Sequence, residues 1–283
     1  DLKIKENNYQ KMKIRFQNKS NYKKFENLVS KDGNKLEIST KKTKLTLNLR
    51  RGLAIDKLSF KSNNFEPILG TIKQGYFDDN KFSADFYSNN FVADLPIDRI
   101  KLNDLLPSKP FFRLEKNILK VSTTVDSHYG EIRKEIGINL EKEEVSLTFD
   151  FSSLEDLFGS VNAGNLTFFD NKNIKPNCFF CKNGGKNFER FSLNNNFDHS
   201  EPASFLVSSN SGLGCTDGVL IFARKKGKLL IKWSPENNYI MPKIQNIFIG
   251  KKRLTRVFFS LQEVDDTKKE KTKIGNLKLL LSS

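Results

Sequence analysis

Three aspartates stand among five aromatic residues in GYFDDNKFSADFY, positions 75–87. Asp78, Asp79 and Asp85 are of the type that hydrogen-bonds sugar hydroxyls, and Tyr76, Phe77, Phe82, Phe86 and Tyr87 offer faces for the apolar side of a pyranose ring. Carboxylate pairs also cleave glycosidic bonds, but only when the two groups flank the scissile bond at a defined separation, and adjacent Asp78 and Asp79 make a poor pair. A plainer reading makes Tyr76-Phe77 and Phe82 to Tyr87 two strands, with Asp78-Asp79-Asn80-Lys81 as their connection. Asp and Asn suit turns for purely local backbone reasons. In FSADFY the strand period of two sets Phe82, Ala84 and Phe86 apart from Ser83, Asp85 and Tyr87, so Asp85 and Tyr87 are expected away from the phenylalanine face.

A second group is CFFCKNGGKNFERF at 178–191, followed by His199 and Cys215. A CxxC unit with one His and one further Cys has the ligand types of a zinc site, so Cys178, Cys181, His199 and Cys215 form a zinc alternative. Structural zinc, however, usually pairs two compact units, and here the outer ligands stand alone. Buried thiols are the simpler expectation, with no metal and no cofactor. His128 and His199 are the two histidines, and neither sits in a nucleophile signature such as GxSxG. SGLGCTDG (211–218) lacks the Lys-Ser/Thr ending of a phosphate-binding loop. Glu263, Asp265 and Asp266 close a strand-like run, a position where charge is usually solvated.

The elements that must hold these residues are strands. Alternation marks KLTLNLRR, LAIDKLSF (53–60), ILKVSTTVDS (118–127), RKEIGINL (133–140), VSLTFDF (145–151), GNLTFFD (164–170), ASFLVSS (203–209), GVLIFAR (218–224), KLLIKW (228–233), TRVFFSLQE (255–263) and GNLKLLLS (275–282). KKGK (225–228) reads as a tight hairpin, and DGN (32–34) as a turn before the first strand. Helical signals are few: SSLEDLFGS (152–160) has a Ser cap and an acidic first turn, enough for one or two turns, and DRIKLNDLLPS (98–108) is ambiguous. With no linker at its midpoint, the chain reads as a connector over 1–34 and one large antiparallel β-sandwich with few short helices over 35–283.

Composition narrows the function classes. Twenty-five Phe among 283 residues supply a large core, while the net charge of +15 invites a nucleic-acid reading. Only ten of the 48 basic residues are Arg, and the lysines are spread along the whole chain, so they read as surface filler and no nucleic-acid partner is expected. No run of about 18 apolar residues exists, and no membrane partner is expected. Three Cys are no disulfide framework and fit a reducing cytoplasm. The first residues, DLKIKENNYQ, lack an initiating Met, which suggests that the chain begins mid-protein.

Taken in order, RRGLAIDKLSF (50–60), GTIKQGYFDDNKFSADFYSNN (70–90), NGG and ERF within 183–191, His199, SGLGCTDG (211–218), MPKI (241–244) and RVFFSLQEVDDT (256–267) resemble the C-terminal β-rich region of glycoside hydrolase family 57-like proteins, the α-glucan-acting amylases and glucanotransferases. The resemblance spans residues 35–267 and includes no catalytic motif. It implies a mutarotase-like supersandwich attached to an N-terminal catalytic barrel, which would carry the nucleophile and the general acid. It therefore implies a non-catalytic, carbohydrate-associated role with an α-glucan partner, and Tyr76, Asp78, Asp79, Asp85, Tyr87, Asn183, Arg190 and His199 as sugar- or domain-contacting residues. The alternative on the same fold is an aldose-epimerase-type enzyme with His199 as acid and Glu263 as base.

Overall fold

The computed structural model describes residues 28–72, 87–198, 215–234, 240–264 and 270–283. They form two antiparallel sheets. The first has eleven strands: β1 (Val29–Asp32), β2 (Lys35–Ser39), β3 (Thr43–Asn48), β4 (Ala54–Phe60), β5 (Leu69–Gly70), β6 (Phe91–Leu95), β7 (Ile100–Asn103), β12 (Ser160–Phe168), β15 (Phe197–Asp198), β18 (Met241–Ile249) and β19 (Lys252–Gln262). The second has nine: β8 (Phe111–Glu115), β9 (Ile118–Ser127), β10 (Gly130–Asn139), β11 (Glu144–Asp150), β13 (Pro176–Cys181), β14 (Glu189–Ser192), β16 (Val219–Arg224), β17 (Lys228–Lys232) and β20 (Leu277–Ser282). The expected all-β sandwich is what the chain forms.

Alternation decides which side of each strand is buried. Leu36 and Ile38 of β2, Leu45 and Leu47 of β3, and Val257 and Phe259 of β19 meet Ile136 and Ile138 of β10, Val145, Leu147 and Phe149 of β11, and Leu277, Leu279 and Leu281 of β20 in one continuous core. KKGK closes the β16–β17 hairpin, with Gly227 at φ +89° and the Arg224 N–H donating to the Gly227 carbonyl at 3.0 Å. No helix among the described residues is long and apolar enough to cross a membrane.

The eleven-stranded sheet forks at β12. Its first half pairs with β6 and its last two residues with β5, which leaves part of one edge without a strand partner. Ser88-Asn89-Asn90 fills that gap: the Asn89 N–H donates to the Asn165 carbonyl at 2.6 Å, the Gly164 N–H to the Asn90 carbonyl at 3.0 Å, and the Thr167 N–H to Ser88 Oγ at 3.0 Å.

Lys134 of β10 joins the sheets at this place. Its position in the alternation turns it inward between Ile132 and Ile136, where it is 2% exposed. Nζ lies 2.6 Å from Asp104 Oδ2 and donates to the Gly52 carbonyl at 2.6 Å and the Asn89 carbonyl at 2.5 Å, which uses all three ammonium protons. Asp104 Oδ1 accepts from the Phe91 N–H at 2.9 Å. Burial pushes the Asp104 carboxyl up and the Lys134 ammonium down from their ordinary values, and the attraction between them opposes both shifts. Gly52 has φ +57°, and a Cβ on it would sit 1.9 Å from the Asp104 carbonyl oxygen, so only glycine can aim this carbonyl at Lys134.

Three sequence expectations need correction. SSLEDLFGS forms no helix: Leu157 makes an isolated bridge with Thr272, and β12 begins at Ser160, because pairing with the distant chain satisfies this backbone better than one marginal turn. The helical element among the described residues is a single 3-10 turn, Lys61–Asn63. DGN lies inside the first hairpin instead of before the first strand, so among the described residues the sheet already begins at Val29, ahead of the boundary expected at residue 35. Residues 1–27 and ASFLVSS lie outside the described residues. The ambiguous DRIKLNDLLPS contains β7 and, directly after it, the Asp104 anchor.

Lys134→Met should destabilise the protein by about 3–5 kcal/mol in urea unfolding, since it strands a buried carboxylate. Adding Asp104→Asn, which keeps an acceptor for the Phe91 N–H, should recover part of that loss. Equal stability of the two variants would show that the ion pair does not anchor the sheets.

Candidate functional site

The outer face of the eleven-stranded sheet, opposite the core, is polar in its middle strands. Residues paired across a sheet share a face. Thr167, Arg256 and Gln245 are in register across β12, β19 and β18, and so are Asn162, Ser260 and Met241, with Phe258 and Lys243 between them. Their core-side neighbours are Leu166, Val257 and Ile244. A register shift between Ala163 and Leu166 accommodates Gly164 and Asn165. Such a shift bends a strand and redirects side chains.

Several of these polar groups bind one another. Lys243 pairs with Glu263, Ser260 Oγ donates to the same Glu263 oxygen, and Arg256 Nε donates to Gln245 Oε1. Gln262 Nε2 donates to the Leu157 and Gly159 carbonyls, at 3.0 Å each. In contrast, Asn162 Oδ1, Asn165 Oδ1 and Thr167 Oγ1 are enclosed and have no hydrogen-bond partner. Thr167 is 1% exposed and Asn165 7%. Enclosed oxygens without partners are uncommon, because each has given up its water without replacement.

Toward β4 the same face becomes mixed. Tyr87 is half-buried against Ala54, Val92 and Leu105 on one side and Ile72 and Leu254 on the other, and the Arg51 guanidinium lies 5.7 Å over its ring. Val92 is in register with Asn162, which ties this apolar step to the polar rows. Burial pushes the Asp56 carboxyl up, while its bond to the Asn48 side chain and the charges of Lys35 and Lys57 pull it down.

Of the residues singled out in the sequence, the structure places Tyr87 and Glu263 on this face. Asn183 is half-buried in the β13–β14 connection and Arg190 is exposed on the edge strand β14, both in the other sheet. Tyr76, Asp78, Asp79, Asp85 and His199 lie outside the described residues, as does the expectation that Asp85 faces away from the phenylalanines. The polar rows of Asn162, Thr167, Gln245, Arg256 and Ser260 were not among the sequence candidates. The available signal was the recurrence of polar residues at alternate positions, Lys243 and Gln245 in MPKIQ, Arg256 and Ser260 in RVFFS, and Asn165 and Thr167 in GNLT, which marks a second buried face that is not wholly apolar.

The three cysteines do not converge on one point: Cys181 and Cys215 meet, but Cys178 stands apart. Cys181 lies on the core side of β13 with Phe179, whereas Cys178 is an odd number of residues away and faces the other way, so the CxxC unit cannot chelate from one side. Among the described residues no three His, Cys, Asp or Glu are grouped to hold a metal. None of the three thiols forms a disulfide, and all are buried. The Cys215 side chain bonds to Cys181, and this contact, together with burial, pushes the Cys215 thiol far above its ordinary value.

No known protein family matches the sequence, and no curated protein does. The fold does have solved counterparts. The α-N-acetylgalactosaminidase NagBb of Bifidobacterium bifidum superposes at a TM-score of 0.56 and 8% identity over 87% of this chain. The match covers 35% of NagBb, so this chain corresponds to about a third of that protein's length. A galactose mutarotase-like protein of Clostridium acetobutylicum gives a TM-score of 0.47 at 10% identity over 88% of this chain and 94% of its own. The 4-alpha-glucanotransferase of Thermococcus litoralis gives 0.42 at 12% identity, over 89% of this chain and 38% of that one. At 8% identity the NagBb match shows the fold alone, a large two-sheet antiparallel β-sandwich.

A raised thiol pKa leaves little thiolate, and only the thiolate is alkylated. Iodoacetamide at pH 8 should therefore leave Cys215 unmodified in the folded protein, while denaturation should expose three reactive thiols. Rapid alkylation of folded Cys215 would contradict its placement.

Proposed function

We propose that this chain is a carbohydrate-associated, non-catalytic β-sandwich of a glycoside-hydrolase-type protein, which contacts glycan through the outer face of its eleven-stranded sheet. The observation that carries this reading is that three of the molecule's enclosed oxygens without partners, Asn162 Oδ1, Asn165 Oδ1 and Thr167 Oγ1, stand together on β12. These oxygens are shut off from solvent, so a sugar hydroxyl would reach them only by displacing the side chains that cover them. Oxygens that have already lost their water gain most from meeting such a donor. Tyr87 supplies an aromatic edge to the same face. The resemblance of the ordered segments to family 57-like proteins makes α-glucans the first ligands to test and an upstream catalytic domain the expected partner.

The epimerase reading retains one supporting observation, the position of Glu263 beside Ser260 on this face. Its oxygen already accepts from Lys243 and Ser260, an arrangement that suits anchoring a lysine better than taking a proton from a sugar. If glucose or galactose mutarotation is accelerated by the chain and that acceleration is lost in Glu263→Gln, the epimerase reading replaces the one proposed.

Thr167→Val separates a binding role from a folding role. The substitution removes a buried hydroxyl that has no partner, so unfolding stability should hold or rise slightly. Calorimetric titration with maltooligosaccharides and glycogen should show binding to the wild type that weakens about 5- to 10-fold in the variant, the loss of one hydrogen bond. An absence of heat with the wild type would remove the α-glucan assignment. Unchanged affinity in Thr167→Val would move the contact off this face.

A further inference from the structure

The far end of the outer face carries a cavity of about 320 Å³, lined by Asp32, Asn34, Lys35, Asn48, Arg50 and Arg51. Two tips build it: the β1–β2 hairpin and the turn that joins β3 to β4. Their backbones are tied together by the Leu49 N–H, which donates to the Asn34 carbonyl at 2.8 Å, and the β3–β4 turn is closed by the Ala54 N–H donating to the Arg51 carbonyl at 2.8 Å. Gly52 follows directly and is held from both sides, its N–H donating to the Leu106 carbonyl at 2.8 Å and its carbonyl receiving Lys134. Flexible side chains thus stand on a fixed base.

Register places the cavity on the same face as the enclosed oxygens. Asp32 pairs with Lys35, Lys35 with Asn48 and Asn48 with Ala54, and Ala54 packs beside Tyr87 and Val92 on the outer side. The lining holds three cations and one carboxylate. Among the described residues Lys35, Arg50 and Arg51 form no ion pair, although acidic partners satisfy Lys120, Arg113 and Lys182 elsewhere on the surface. Asn48 is fully engaged: its Oδ1 accepts from the Arg50 N–H at 3.1 Å, and its side chain bonds to Asp56. Asn48 therefore positions Arg50 and does not itself bind ligand.

The mixture of groups selects a ligand class. Two guanidinium forks and an ammonium suit a carboxylate or phosphate, which each fork binds with paired N–H donors. Asp32 would repel a bare anion but accepts hydroxyl donors, as does the Asn34 side-chain carbonyl. The volume suits one ring and its substituent. Resting on the carbohydrate reading above, we propose that this cavity is a subsite for an anionic sugar, with Arg50, Arg51 and Lys35 on its carboxylate or phosphate and Asp32 and Asn34 on its hydroxyls. The subsite would give the outer face a preference for glycans that carry a negative charge at one end.

Calorimetric titration of the full chain with glucuronate, glucose 6-phosphate, glucose and inorganic phosphate tests this. At least one anionic sugar should bind about tenfold or more tightly than both glucose and inorganic phosphate, as expected for a charge-assisted contact added to hydroxyl contacts. The two anionic sugars separate carboxylate from phosphate as the group recognised. Arg50→Gln/Arg51→Gln should abolish the preference and leave the melting temperature unchanged, since both side chains are exposed. Inorganic phosphate binding as tightly as the sugars would overturn the proposal in favour of an adventitious ion only, and so would a preference that survives in the double variant. Maltooligosaccharide binding, measured in parallel, reports on the carbohydrate reading separately: if it persists while anionic sugars bind no tighter than glucose, only the subsite is lost.

Discussion

The ion pair of Lys134 and Asp104 is the constraint on which the rest of this structure depends. A lone ammonium between two sheets would be intolerable, and its three protons instead meet a carboxylate and two carbonyls from three separate segments of the opposite sheet. Replacement of such a pair by apolar residues often costs nothing, so its value lies less in net stability than in position. It fixes where the Gly52 turn, the Ser88-Asn90 segment and the end of β7 lie relative to β10. Two of these segments continue into the outer face.

From Gly52 the chain leads back to Arg51 and Arg50, which line the cavity. From Asn89 it leads through the Asn165 and Thr167 backbone contacts into the fork at β12, where the enclosed oxygens stand. One buried hub thus supports both ends of the outer face, and the apolar step of Tyr87, Ala54 and Val92 joins them. Precision in a binding site comes from rigid support of this kind more than from the contacting residues themselves.

The two faces of the eleven-stranded sheet use the same alternation for different purposes. On the inner side Val257, Phe259 and Ile244 are apolar and fill the core. On the outer side Arg256, Gln245, Lys243 and Glu263 are polar and satisfy one another in pairs. A face that is both buried and polar is expensive unless something uses it, and this separates it from an ordinary solvated face with exposed lysines.

Much of the architecture was legible in the chain itself. Period-two alternation located β9, β16, β17 and β20 almost to the residue, and the lone glycine of KKGK marked its hairpin, because these features depend on local backbone chemistry and on one side of a strand being apolar. The helix expected at SSLEDLFGS failed since a cap and an acidic first turn are weak beside long-range pairing. The CxxC unit looked like a chelate only until a strand placed its two thiols on opposite faces. Lys134 is the clearest limit. Alternation with Ile136 and Ile138 in RKEIGINL sets it on the apolar side, but nothing local supplies its partners, which lie 30 residues or more away in sequence, at Gly52, Asn89 and Asp104. Likewise Asn162, Thr167, Arg256 and Gln245 become one surface only through register across three strands. The sequence by itself determined the strands and their apolar sides, which are local properties. Tertiary structure alone decided which polar residues were taken out of water together, because that depends on partners the chain brings from far away.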